Sequence, residues 1–170
     1  TVTELCSDPH KTYYLGGYSL AGLFSLWAAY QTSLFTGIAA ASPSVWFPGF
    51  LDYVKAHKFQ SSCVYLSLGD REERTKNSVM AAVGDCIRAY DNWLKEQKIQ
   101  CTLEWNKGNH FQDPGLRTAR AFSWVLTQPP GLYDLASTPR YLNIQTTGTI
   151  VEVIVVILLV AMWIIRRMDK

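Results

Sequence analysis

Between a β-like run at residues 12–15 and an apolar stretch at 20–30, the chain places Gly16-Gly17-Tyr18-Ser19, a junction few folds accommodate. The run before it, Thr12-Tyr13-Tyr14-Leu15, is β-branched, aromatic and apolar, which reads as a strand. The paired glycines then permit a tight turn. Beyond Ser19 nearly every residue to Tyr30 is apolar. A helix apolar on most sides is expected against the centre of a sheet, so the junction predicts a strand turning sharply into a buried helix.

The rest of the chain repeats that alternation. Residues 35–41 read as a short strand stopped by Ser42-Pro43, and 48–56 as an amphipathic turn or two of helix. Residues 62–68 have the short apolar character of a buried strand and end at Gly69. From 78 to 97, Val79, Val83, Ile87, Tyr90 and Leu94 fall three or four apart, which stacks them on one face of a single helix. Cys101, Leu103 and Trp105 alternate with polar residues as a further strand, and 108–111 form its exit loop. Asp113-Pro114 predicts a helix start running to about Leu126, with the Asp113 side chain accepting free amide hydrogens. This order is that of an α/β protein with about four parallel strands and flanking helices. In such open sheets chemistry gathers at the carboxyl edge of the strands.

Ser19 stands at that edge. Gly17-Tyr18-Ser19-Leu20-Ala21 has the small-x-Ser-x-small pattern of a nucleophile elbow. By composition alone the pattern arises in roughly one chain in ten of this length, so its placement between strand and apolar helix carries the weight. The helix start puts the Leu20 amide where it can serve as an oxyanion donor. A serine hydroxyl needs a base and the base an orienting carboxylate, in the chain order Ser, acid, His. His10 precedes the first strand and His57 lies in a crossover, so both read as solvated surface residues. His110 follows the last strand, where the carboxyl edge requires it. In Asp70-Arg71-Glu72-Glu73, after the third strand, any of the three carboxylates can supply the acid, and the other two are then solvated. Trp46 and Phe47 read as packing residues.

Composition removes other classes. The net charge is +2 and the Lys and Arg residues are scattered, so no basic face for nucleic acid is expected. Cys6, Cys63, Cys86 and Cys101 show no C-x-x-C pair or histidine cluster, and read as thiols rather than metal ligands. Their even number also permits disulfides. No metal or organic cofactor is implied. The chain starts at Thr1 without a signal-peptide pattern, and reads as a piece of something longer.

The end of the chain changes character. Residues 129–145 read as a linker, 146–165 as a transmembrane helix and 166–170 as a short basic tail. About a dozen Ile, Leu and Val residues, each favouring insertion by roughly 0.3–0.6 kcal/mol, outweigh Glu152 at about 3 kcal/mol or less. Arg166, Arg167 and Lys170 then predict a single-pass protein with a cytoplasmic C-terminus and a lipid bilayer as partner. A cytoplasmic protein without that span is the alternative.

Four stretches carry a resemblance: Gly16–Gly22, Ala41-Ser42-Pro43-Ser44-Val45-Trp46-Phe47, Ser67-Leu68-Gly69-Asp70-Arg71-Glu72-Glu73 and Gly108-Asn109-His110-Phe111. Together they resemble an esterase family of the α/β-hydrolase superfamily that includes enterochelin and other siderophore esterases, feruloyl esterases, S-formylglutathione hydrolases and mycolyltransferases. The resemblance spans roughly residues 13–126 and assigns 1–128 to the C-terminal half of such a domain. It implies hydrolysis of a small-molecule carboxylic ester through an acyl-serine. It also implies Glu72 as the triad acid, with Asp70 as alternative, and Tyr18 and the 42–47 loop, Trp46 included, as pocket lining. In the family, strands before the elbow supply a second oxyanion donor. An acyltransferase using the same triad, and a non-catalytic membrane-anchored fragment, are the competing expectations.

Overall fold

The computed structural model describes residues 4, 6–8 and 10–129. Strand β1 is Tyr13–Tyr18, followed by helix α1, Leu20–Gln31, strand β2, Phe35–Ala41, and helix α2, Phe50–Ala56. Strand β3, Cys63–Gly69, leads through a short helix α3, Ser78–Ala81, to α4, Val83–Glu96. Strand β4, Gln100–Asn106, and helix α5, Pro114–Thr127, complete the order. The four strands form one sheet in the order β1-β2-β3-β4, every neighbouring pair parallel.

The pleat divides the core in two. Ile38, Ala40, Val64 and Leu66 face α1, α2 and α4, meeting Leu26, Val54, Ile87, Tyr90 and Leu94. Their alternating neighbours Ala39, Ala41, Cys63 and Tyr65 face α5, meeting Ala121, Phe122 and Val125. β2 and β3 are covered on both faces, which is why they read as continuous apolar runs. The connecting helices all lie on one face, as a uniform crossover hand in a sheet of consecutive order requires. All four loops that leave the strands therefore open on one edge, and Ser19, Ser42, Asp70–Glu73 and His110 lie in them or at their start.

Three local expectations are corrected. The helix expected over 78–97 is two helices, because Ala82 has ψ near −1°, and Asn77 caps the first by accepting from the Val79 and Met80 amides. Asp113 does not cap α5 with its side chain; it sits in the left-handed region at φ 51° and ψ 44°, while Pro114 does open the helix. α1 is less covered than its sequence suggests, since Phe24 and Trp27 stay exposed on its outer side.

The fourth correction concerns the membrane. Among the described residues no helix is long and apolar enough to cross a bilayer. The longest have 14 residues, about 21 Å, against a hydrocarbon core of roughly 30 Å. The expected span at 146–165 lies outside the described residues, as does the tail at 166–170. The architecture is a four-stranded parallel α/β unit with flanking helices. Among the described residues that architecture contains no transmembrane helix.

Candidate active site

Ser19 sits between β1 and α1 with φ 59° and ψ −121°, a backbone conformation that a side chain rarely adopts. Such a conformation costs on the order of 1–3 kcal/mol and persists only where surroundings enforce it. Here the Ser19 amide donates to the Ala41 carbonyl at 3.1 Å, and the Ser19 carbonyl accepts from Leu23 and Ser44 at 3.0 and 3.1 Å. The turn is so tight that a Cβ on Gly17 would lie 2.6 Å from the Ala21 carbonyl carbon. Leu20 opens α1, so its amide is among the helix-terminal N–H groups with no intrahelical acceptor.

His110 reaches back over this turn. Its Nε2 is 3.0 Å from Ser19 Oγ, and its Nδ1 is 2.6 Å from Glu72 Oε2. Glu72 is buried, and its other oxygen, Oε1, accepts from the Gly69 amide at 2.7 Å, Ser42 Oγ at 2.8 Å and Arg117 Nη1 at 2.9 Å. Burial pushes the Glu72 carboxyl up, but the bonds from His110, the Gly69 amide and Ser42 outweigh it, so it titrates below its ordinary value. A buried carboxylate held charged beside an imidazole favours the tautomer with hydrogen on Nδ1, which leaves Nε2 free to accept.

The other carboxylates of the β3 exit do different work. Asp70 Oδ1 accepts from the Gly108 amide at 2.8 Å, bracing the loop that carries His110. Glu73 pairs with Arg88 at 3.2 Å. His57 is stacked on Tyr53 with ring centroids 4.0 Å apart, and His10 lies before β1; both are exposed and outside this cluster. Cys6, Cys63, Cys86 and Cys101 are not joined in disulfides. Among the described residues no group of three or more His, Cys, Asp or Glu side chains could hold a metal ion.

A cavity of about 480 Å³ opens at Ser19 and His110, with Ser44, Trp46, Met80 and Phe111 among its lining residues. Trp46, read as packing from sequence alone, is thus in its wall. Tyr18 is not among the lining residues. Its hydroxyl instead donates to the His110 carbonyl at 2.6 Å and accepts from Arg117 Nη1 at 2.6 Å. Arg117 was not among the expected site residues, and Ser42 was expected only as part of the pocket-lining 42–47 loop, not as a partner of Glu72. Ser42 has the unusual φ of 43° after β2, and Arg117 is one of two basic residues on α5, with Arg120, a setting that ordinarily means solvent.

No protein-family model matches the sequence. No curated protein matches it either. Solved structures do. The siderophore hydrolase EstA from Aspergillus nidulans matches with a TM-score of 0.51 at 22% identity, over 68% of this chain and 48% of that one. The enterobactin esterase FES from Shigella flexneri, solved with 2,3-dihydroxy-N-benzoyl-glycine, matches with a TM-score of 0.52 at 19% identity, over 73% of this chain and 34% of that one. The chain shares its fold with part of each of these structures. At this identity the likeness speaks for the fold alone, and the chain spans about half the length of EstA and about a third of that of FES.

Proposed function

We propose that the protein is a serine hydrolase that cleaves small-molecule carboxylic esters through an acyl-Ser19 intermediate. The observation that carries this reading is the continuous relay Ser19 Oγ, His110 Nε2, His110 Nδ1, Glu72 Oε2, with links of 3.0 and 2.6 Å across the two sides of the imidazole. In the acylation step Ser19 Oγ bonds to the ester carbonyl carbon as its proton passes to His110 Nε2. The Leu20 amide is placed to stabilise the oxyanion that forms. Collapse breaks the carbon–oxygen bond to the alcohol, which leaves with the proton from Nε2. Water then attacks the acyl-serine, giving its proton to Nε2, and release of the acid returns the proton to Ser19.

Glu72 stays ionised throughout, holding the imidazole and stabilising its cationic form. The cavity of about 480 Å³ is of a size for a small-molecule ester, and its wall mixes apolar Trp46, Met80 and Phe111 with polar groups. The siderophore hydrolase and enterobactin esterase among the structural neighbours make siderophore esters the first substrates to assay.

Labelling of the full-length protein with a fluorophosphonate tests the reading. The wild-type protein is expected to be labelled and the Ser19→Ala variant not; labelling that survives the substitution overturns it.

A further inference from the structure

Arg117 is the largest fully buried side chain of the described residues, 2% exposed. Its position is an unfavourable one for a cation. It lies in the first turns of α5, where the helix dipole is positive, and its buried Nη2 has no hydrogen-bond partner among the described residues. Burying a cation carries a desolvation cost that packing alone does not require, since an apolar side chain fills space without it. What the position provides is contact: Nη1 lies 2.9 Å from Glu72 Oε1, 2.9 Å from Ser42 Oγ and 2.6 Å from the Tyr18 hydroxyl.

Those three partners all bear on His110. Glu72 holds its Nδ1, Ser42 donates to Glu72, and Tyr18 holds its backbone carbonyl. The donors on Glu72 are divided unequally: Arg117, Ser42 and the Gly69 amide all use Oε1, and Oε2 takes His110. Space beside Arg117 is also reserved, since a Cβ on Gly69 would come 2.3 Å from Nη2.

We propose that Arg117 is a positioning residue for the reaction at Ser19, holding Glu72 by Oε1 so that Oε2 faces His110, and fixing through Tyr18 the loop that carries the base. Arg117 touches neither Ser19 nor the cavity, so it acts through Glu72 and Tyr18. The inference rests on the reading of Ser19, His110 and Glu72 as the reacting relay. Without the guanidinium, Glu72 Oε1 keeps two donors, the Gly69 amide and Ser42, but the carboxylate can rotate, and the imidazole loses its fixed approach to Ser19 Oγ. Binding of substrate is not touched, so the loss falls on kcat rather than KM.

A double-mutant cycle on the full-length protein tests this, with p-nitrophenyl acetate as probe and thermal midpoints measured in parallel. Arg117→Met is expected to lower kcat about 30-fold or more with KM changed less than about threefold. In the Glu72→Gln background the same substitution is expected to cost less than about threefold, because the carboxylate it would orient is gone. Arg117→Lys keeps the charge, but its shorter side chain does not carry the ammonium to the place of Nη1, so an intermediate loss is expected, again only while Glu72 is present. If Arg117→Met does not fold, the Lys variant carries the comparison by itself. Equal losses in both backgrounds, tracking the thermal midpoint, would reduce Arg117 to a structural role and overturn the inference; so would unchanged kcat. Should Ser19→Ala retain wild-type turnover, the hydrolase reading itself falls, an outcome separable from loss in Ser19→Ala with none at Arg117.

Discussion

The Tyr18 hydroxyl donates to the backbone carbonyl of His110 at 2.6 Å, although 92 residues separate them in the chain. Tyr18 immediately precedes the proposed nucleophile, so this bond ties the end of β1 to the loop carrying the proposed base. The rings of the two residues also approach, with centroids 5.2 Å apart. The pairing of Ser19 with His110 thus depends on the backbone of the His110 loop as well as on the imidazole.

Tyr18→Phe removes that bond and leaves Arg117 Nη1 without one acceptor, while keeping the ring. Hydrogen bonds of this kind contribute about 1–3 kcal/mol, so kcat/KM toward p-nitrophenyl acetate is expected to fall about 10-fold to 100-fold. Most of the loss should appear in kcat, since Tyr18 is not among the cavity residues. Steady-state kinetics on the purified variant check it.

Gly17→Ala tests the elbow itself. The added Cβ would lie 2.6 Å from both the Ala21 carbonyl carbon and the Ala21 Cβ, and the first turn of a helix packed on the sheet cannot give way cheaply. The variant is expected to be destabilised by about 3 kcal/mol or more, seen as a lowered denaturation midpoint and a reduced soluble yield. A midpoint equal to wild type would show that the turn is looser than its geometry.

Acid sensitivity follows from Glu72. Burial raises its carboxyl, but hydrogen bonds from His110, the Gly69 amide and Ser42 outweigh this, and the folded value lies below the ordinary 4.5. The folded state therefore binds this proton less readily than the unfolded chain does. Its stabilising contribution is complete above the ordinary value and is lost as pH falls through the depressed one. Thermal midpoints measured from neutral pH downward are expected to drop more steeply for the wild type than for Glu72→Gln, with the difference confined to the region below about 4.5. Parallel curves would mean that Glu72 does not contribute this linkage.

How far the sequence reaches is clear from particular residues. The β2 strand over 35–41, the elbow at Gly17–Ala21 and the helix start at Pro114 follow from local patterns, because periodicity, turn glycines and proline act on near neighbours. His110 was also legible, since strand order alone places its loop on the same edge as Ser19. Local patterns do not reach the break at Ala82 or the left-handed Asp113. There the chain bends to suit the packing of α4 and the His110 loop, and the same residues would propagate or cap an isolated helix.

The membrane helix expected at 146–165 rested on hydropathy alone, and no described helix has the length to cross a bilayer. At the site, charge pattern alone does not separate Asp70, Glu72 and Glu73, although the family resemblance favoured Glu72 with Asp70 as alternative, and Arg117 and Arg120 read alike on α5. Docking of β3, β4 and α5 separates them: Glu72 and Arg117 turn inward together, while Arg120 pairs with Glu104 at the surface. The order of elements and the elbow that singles out Ser19 as the proposed nucleophile were written in the linear sequence, because both depend on residues a few positions apart. The contacts themselves, His110 Nε2 on Ser19 Oγ across 91 residues and Arg117 Nη1 on the Tyr18 hydroxyl across 99, were decided by the tertiary structure, because burial and hydrogen bonding act through space.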